Sequence, residues 1–273
     1  MRLNDRIRQI IRNRDSLLCV GLDVDPKRIP VHIIKKQDPI FIFNKLIIDA
    51  TADFVMAYKP NLAFYEALGQ GGWDVLKRTV DYMPEGILKI GDAKRGDIGS
   101  TATKYAQGLF DLGFDAVTVN PYMGWDSVEP FVQDEGRGVF ILCLTSNPSA
   151  RDFQYLSFDG KFLYQRIAEK AVEWSRNGNC GLVVGATHRD ELKAVRNIAP
   201  DLPFLIPGIG AQGGDLEASV LAGTDRHGEM AIVNSSRGIL YASSRKDFAE
   251  VSRYESKKLH DQINIIRRKK EMK

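Results

Sequence analysis

Ile87-Leu88-Lys89-Ile90-Gly91-Asp92-Ala93-Lys94-Arg95-Gly96-Asp97 begins as a short apolar run and ends in a knot of opposite charges. On an extended segment, residues two apart point to the same face, so Asp92 and Lys94 project together and Asp97 follows a turn at Gly96. An ammonium held between carboxylates at a strand end is costly to bury unless it is paired. Clusters of this kind are sites more often than scaffolding.

Seven further runs share its apolar character: Leu17–Val24, Phe54–Lys59, Ala116–Asn120, Val139–Thr145, Gly181–Thr187, Phe204–Gly210 and Ala231–Ser236. With Ile87–Lys94 they make eight, rich in Val, Ile and Leu, as expected of parallel strands covered on both faces. Helical spacing fills the intervals at Phe41–Ala50, Tyr105–Phe110, Phe162–Trp174, His188–Ile198 and Leu216–Leu221, and a last helix follows Arg237. Eight strand–helix beats predict an α/β fold, a (β/α)8 TIM barrel, with residues 1–273 as a single domain. A doubly wound open sheet competes, but no GxGxxG follows the first strand. Two connections are long, Lys27–Asp38 and Thr145–Asp159. Long strand-to-helix loops lie at the active face of a barrel, so Thr145-Ser146-Asn147-Pro148-Ser149 reads as part of a lid.

At 44% hydrophobic and 27% charged over 273 residues, the composition is that of a soluble globular protein. A net charge of +3 is too small to argue for nucleic acid or a membrane surface as partner. Most of the local excess sits in Arg267-Arg268-Lys269-Lys270, read here as the solvated end of a terminal helix. Cys19, Cys143 and Cys180 fall in apolar runs without CxxC spacing, which predicts buried inert thiols and a reducing, cytoplasmic compartment. The first residues lack the apolar core of a signal peptide, and no apolar run approaches the ~18 residues of a membrane span.

Barrel strands deliver their C-terminal residues to the catalytic mouth. There the first strand offers Asp23 and Asp25, the second Lys59, the third Asp92 and Lys94, the fourth Asn120, and the fifth Thr145-Ser146-Asn147. Singly, each has a structural alternative: Asp23 as a turn cap, Lys59 as a snorkelling lysine, Asp92 and Lys94 as a plain ion pair. Asp97 is expected to open the following helix, favoured there by the helix dipole, with Thr101 one turn on along the same face. Unrelated structural pairs have no reason to gather at one end of three neighbouring strands, so together these residues predict one alternating network of charge.

The seventh run ends in Pro207-Gly208-Ile209-Gly210-Ala211-Gln212-Gly213-Gly214, and the eighth enters a helix through Ser235-Ser236-Arg237-Gly238. The backbone N–H groups of such loops, with a helix N-terminus, form the usual phosphate cradle of this fold. Arg237 adds a bidentate charge and Gln212 a donor from above. His32, His188, His227 and His260 show no HxxxH or His–Asp pattern and are expected in structural surface roles, so neither a metal site nor a histidine base is indicated. Ser146 lacks an elbow motif and a histidine partner, which speaks against a hydrolase triad.

Taken together, these residues resemble the orotidine 5′-phosphate decarboxylase family, in the branch whose lysine motif reads Asp-Ala-Lys-Arg-Gly-Asp-Ile. Residues 92–98 with Thr101 carry that motif. Residues 21–26, 58–61, 119–122, 144–148, 207–214 and 236–238 follow in the family's order, so the resemblance runs from about residue 15 to residue 245. It implies conversion of orotidine 5′-phosphate to UMP and carbon dioxide in de novo pyrimidine synthesis, without metal or organic cofactor. It also implies homodimers in which Asp97 and Thr101 reach into the partner's site. By the same resemblance Lys94, Asp92 and Asp97 are catalytic, Asp23 and Lys59 meet ribose hydroxyls, and Ser146 meets the pyrimidine edge. Pro207 would line the base, Gln212 and Arg237 would hold the phosphate, and Asn120 and Ser236 belong to the binding residues. A metal-dependent phosphosugar decarboxylase on the same barrel also carries Asp-x-Lys-x-x-Asp, but the long loop with Ser146 suits a pyrimidine better. A non-catalytic nucleotide-binding barrel is the other alternative, and intact Lys94 with both aspartates argues against it.

Overall fold

The eight apolar runs become β1 (Leu18–Gly21), β2 (Ala57–Lys59), β3 (Leu88–Arg95), β4 (Ala116–Val119), β5 (Gly138–Leu144), β6 (Cys180–Val184), β7 (Phe204–Pro207) and β8 (Ala231–Ser235). A computed structural model, which describes residues 1–186, 189–208 and 215–271, closes these strands into a parallel barrel in sequence order. Leu18 of β1 lies opposite Val233 of β8, and Cys19 opposite Ala57 of β2. Every residue of β1, β2, β4, β6 and β8 is buried, as continuous apolar runs require. Each Val, Leu or Ile removed from water in this way contributes roughly 1.5–3 kcal/mol. Most strands stop one to three residues short of the expected run.

Around the barrel lie α1 (Leu3–Arg14), α2 (Pro39–Thr51), α3 (Gln70–Tyr82), α4 (Gly99–Asp111), α5 (Leu163–Trp174), α6 (Arg189–Ile198), α7 (Leu216–Gly223) and α8 (Phe248–Glu271). Neither α1 nor α3 is among the segments expected from spacing. α3 crosses the preceding short helix so closely that a Cβ on Gly72 would stand 1.9 Å from the carbonyl oxygen of Tyr65. After β4 the chain makes three 3-10 turns, Pro121–Met123, Trp125–Ser127 and Glu129–Phe131, in place of a long helix.

α1 closes the N-terminal mouth with Leu3, Ile7, Ile10 and Ile11, all buried. Arg6 pairs with Asp115 at 2.7 Å, and Arg8 with Asp225 and Glu229 at 2.9 and 2.7 Å. The basic end of α8 is solvated at Arg268 and Lys269, as read from sequence, but docked at Arg267 and Lys270, which corrects that reading in part. Arg267, 5% exposed, and Arg268 both pair with Asp15. Lys269 pairs with Glu217 at 2.9 Å, and Lys270 donates to the carbonyls of Leu221 and Thr224. His260 belongs to the same docking contact, 3.1 Å from both Asp261 and the carbonyl of Asp15, a structural role at the surface.

The long connection after β5 holds a 3-10 turn, Pro148–Asp152, and then a hairpin that pairs Ser157–Phe158 with Lys161–Phe162. The hairpin turns through Asp159 and Gly160 at φ 49° and 73°. Both angles are left-handed, as a two-residue type I′ turn demands. Phe153, Leu156 and Phe158 are exposed along this segment.

Candidate active site

The charged cluster exists because β3 is irregular where it meets β4. Ile90 and Gly91 pair with Ala116 and Val117, and pairing resumes only at Arg95 with Val119. Asp92, Ala93 and Lys94 therefore face a single β4 residue, Thr118. Lys94 adopts a left-handed φ of 48°, which non-glycine residues hold only where their surroundings fix it. Regular alternation is thus broken at the motif, and Asp92 meets Lys94 across a bulge, Oδ1 to Nζ at 2.6 Å.

The other oxygen of Asp92 accepts from Lys59 Nζ at 2.8 Å. Lys59 is 3% exposed, whereas the side chain of Lys94 is 50% exposed, so one ammonium is sealed and the other faces the mouth. Asp23 Oδ1 lies 4.0 Å from Lys59 Nζ, and Asp23 Oδ2 accepts from Ser236 Oγ at 2.9 Å. Among the described residues, Asp23 Oδ1 is buried without a hydrogen-bond partner. Thr118 Oγ1 donates to Asp92 Oδ1 at 3.0 Å. One connected network therefore links the ends of β8, β1, β2, β3 and β4.

Burial alone would raise the carboxyl of Asp92, but Lys59 and then Lys94 outweigh it and hold that carboxyl well below the usual carboxylate range. Burial likewise opposes the charge of Lys59, and Asp92 with Asp23 outweighs it, keeping the ammonium above the ordinary lysine range. Alternation of sign is what makes both charges tolerable in a desolvated place. Beneath them Cys19 is buried, its thiol is pushed up to about 12 by that burial, and it donates to Asn234 Oδ1 at 3.4 Å. Cys19 is a packing residue.

The remaining expected residues are placed less uniformly. Asp97 precedes α4 instead of opening it, and its Oδ1 accepts from the Ile98 N–H at 2.9 Å. The shared helical face expected for Asp97 and Thr101 therefore does not hold, although Thr101 is exposed in the first turn of α4. Among the described residues, neither bonds to Lys94. Asn120 is exposed and caps the next turn through Tyr122 N–H at 3.0 Å. Ser146 is half-buried against Gly185, where a Cβ would stand 3.1 Å from that of Ser146. Its neighbour Thr145 is held at 2.8 Å by each end of the Gln154 carboxamide. Pro207 is half-buried at the end of β7 opposite Asn234, and Arg237 is exposed at the start of a short helix, Arg237–Leu240. Gln212 and the rest of residues 209–214 lie outside the described residues.

Thr118 and Gln154 are absent from the reading of the sequence. Thr118 carried a usable signal: it is the one polar residue in the run Ala116–Val119, two positions before Asn120 and hence on the same side of the strand. Between the strand-four and strand-five ends a cavity of about 490 Å³ opens, lined by Asn120, Tyr122, Thr145, Phe153 and Gln154 among others. A larger one, about 740 Å³, lies at the opposite end of the barrel beside Arg8, Arg196, Asp225 and Lys270. There Arg196 is buried and donates to the carbonyls of Ala199, Leu202, Gly223 and Met230, so its guanidinium is engaged by the protein itself. Among the described residues, no group of three or more His, Cys, Asp or Glu side chains is arranged to hold a metal ion.

The model of the orotidine 5′-phosphate decarboxylase / HUMPS family matches residues 16–251. The chain is similar to the orotidine 5′-phosphate decarboxylase of Dehalococcoides mccartyi, 50% identical over 274 residues that cover 98% of this chain and 100% of that one. Its structure is similar to that of Leishmania donovani OMP decarboxylase, with a TM-score of 0.85, 39% identity, and 98% and 99% of the two chains covered. Leishmania donovani UMP synthase matches with a TM-score of 0.86 and 42% identity over 94% of this chain, which spans 56% of that longer one.

Proposed function

The chain belongs to the orotidine 5′-phosphate decarboxylase family, and on that premise we propose both its reaction and the residues that carry it. It decarboxylates orotidine 5′-phosphate to UMP and carbon dioxide, a step of pyrimidine biosynthesis. The observation that carries the mechanism is the sharing of Asp92 between the sealed ammonium of Lys59 and the open ammonium of Lys94.

Breaking the bond from C6 to the carboxylate releases carbon dioxide and leaves the electron pair on C6. That pair sits in an sp² orbital orthogonal to the ring π system, so the ring does not delocalise it. A cation fixed beside C6 is the remaining way to stabilise it. Lys94 fills that place and then transfers a proton to C6, ending as a neutral amine before it is reprotonated from water. Asp92, with Asp97, keeps the ammonium charged and aimed.

Asp23, whose buried Oδ1 faces no protein donor among the described residues, accepts from a ribose hydroxyl, with Lys59 beside it. Ser236 acts through Asp23, to which its hydroxyl is bonded. Ser146 reads the pyrimidine edge, Pro207 lines the base, Asn120 borders the pocket, and Arg237 with Gln212 holds the phosphate. Phosphate binding energy favours closure of the loop after β5, which excludes water from C6.

Asp97 and Thr101 stand apart from their own subunit's network, and Ile98, Tyr105, Tyr122 and Met123 are exposed near them. Exposed apolar side chains beside polar residues outside the charge network support a homodimer in which Asp97 and Thr101 complete the partner's site. The whole chain acts as one barrel domain, since α1 and α8 both dock on it. No helix of the described residues is long and apolar enough to cross a membrane, and the buried free thiols suit a cytoplasmic enzyme.

The test is the loss of ultraviolet absorbance of orotidine 5′-phosphate in the presence of EDTA. Undiminished turnover is expected. Activity lost on chelation, or turnover of a sugar phosphate in place of the nucleotide, overturns the assignment.

A further inference from the structure

We infer that Thr118 is a positioning residue for the decarboxylation, a single hydroxyl that locks both members of the Asp92–Lys94 pair into the β3 bulge. The inference rests on the decarboxylase reading and adds to it a residue from β4.

Three residues of β3 face one of β4 at this point, so the regular ladder lacks partners for the bulged backbone. The Thr118 side chain replaces them. Its Oγ1 accepts the backbone N–H of Lys94 at 2.9 Å and donates its own proton to Asp92 Oδ1 at 3.0 Å. A hydroxyl has one proton and two lone pairs, so both bonds form at once. Thr118 is 1% exposed, and its neighbours Val117 and Val119 are fully buried, which leaves the hydroxyl little freedom to turn elsewhere.

The backbone on either side of Lys94 is held by the Asp92 N–H to the Pro60 carbonyl and by the Asn120 N–H to the Arg95 carbonyl, and the Lys94 side chain by a salt bridge at its flexible tip. The Thr118 contact acts at the base of that side chain, where a small change in φ is multiplied along four methylene groups before it reaches Nζ. The same hydroxyl meets the very oxygen of Asp92 that accepts from Lys94. Thr118 therefore fixes origin and target together, and with them the line along which the ammonium approaches C6. The phosphate contact of Arg237 follows β8, away from this bond, and the ribose contacts Asp23 and Lys59 join the network through the other oxygen of Asp92, Oδ2. Loss of the hydroxyl should then act on the transition state and leave nucleotide binding nearly intact.

The experiment compares Thr118→Val, which keeps the shape and removes the hydroxyl, with Thr118→Ser, which restores it. Steady-state kcat, the dissociation constant of UMP and the melting temperature are measured on each, with Lys94→Ala alongside. Thr118→Val is expected to lower kcat by about 10- to 100-fold, the rate equivalent of one hydrogen bond to a charged group. UMP affinity should stay within about twofold, and Thr118→Ser should recover kcat to within about threefold of the native enzyme. If the valine variant does not fold, Thr118→Cys, whose S–H is a weak donor, replaces it and should fall about tenfold below Thr118→Ser. A folded hydroxyl-free variant with native kcat, or one losing kcat and UMP affinity in equal measure, overturns the inference. Should Lys94→Ala itself remain active, it is the decarboxylase mechanism that fails instead.

Discussion

Replacing Asp92 by Asn keeps its size and removes its charge, leaving Lys59 almost sealed from water with Asp23 Oδ1, 4.0 Å away, as its remaining carboxylate partner. At an effective dielectric of 20, the 2.8 Å contact to Asp92 corresponds to about 6 kcal/mol of attraction and the 4.0 Å contact to about 4 kcal/mol. The larger figure is lost, partly offset because a neutral carboxamide is cheaper to bury than a carboxylate. The half-exposed Lys94 adds little, since solvent screens its pair. The net expectation is a loss of about 3–5 kcal/mol, the usual scale for stranding one member of a buried pair. Urea unfolding at fixed subunit concentration reads it, provided the slope with denaturant is unchanged. Adding Lys59→Met to the Asn variant should return part of the loss. The pH dependence follows from the same pair. The folded-state carboxyl of Asp92 is depressed, so its contribution is present above the unfolded value near ~4 and is lost as pH falls through the folded value. Lys59 is raised, so its contribution is present below ~10.4 and is lost as pH rises through its folded value. Between those limits the pair contributes no slope. A cost below about 1 kcal/mol, the range of an exposed pair, would refute the reasoning.

Mixing inactive Asp97→Ala with inactive Lys94→Ala should restore about a quarter of native activity, because half the random dimers carry one intact site; no recovery after subunit exchange refutes the shared site. Arg237→Ala should weaken UMP binding by about 2–4 kcal/mol in calorimetry, and a change under about 1 kcal/mol would remove Arg237 from the phosphate. Asp15→Ala should destabilise the protein by about 1–3 kcal/mol by removing a carboxylate from the buried guanidinium of Arg267. An unchanged melting temperature would mean that the end of α8 is not docked as described.

The barrel was legible because its strands are short, buried on both faces and separated by turn residues, so that Ile87–Lys94 and its seven counterparts stand out without any knowledge of pairing. The charge network at their ends was legible for the same reason, since the fold assigns all C-terminal strand residues to one mouth. The bulge at Asp92–Lys94 was not. Its existence depends on β4 offering one residue against three, which is a property of pairing and leaves no local mark. The docked tail escaped notice because Asp15 lies 252 residues from Arg267, and α3 because Gly71-Gly72 reads as a breaker until the close approach of Tyr65 explains it. Asp159-Gly160 did carry a hairpin signal, and it lay at the end of a stretch read only as loop.

Everything in the mechanism depends on the ammonium of Lys94 being the acid that meets C6. Single-turnover loss of absorbance by Lys94→Ala, with orotidine 5′-phosphate held above its dissociation constant and UMP binding measured in parallel, addresses it directly. The account predicts that nucleotide binding survives while turnover is abolished. More than about a tenth of native turnover, a barrier change under ~1.4 kcal/mol, would contradict it.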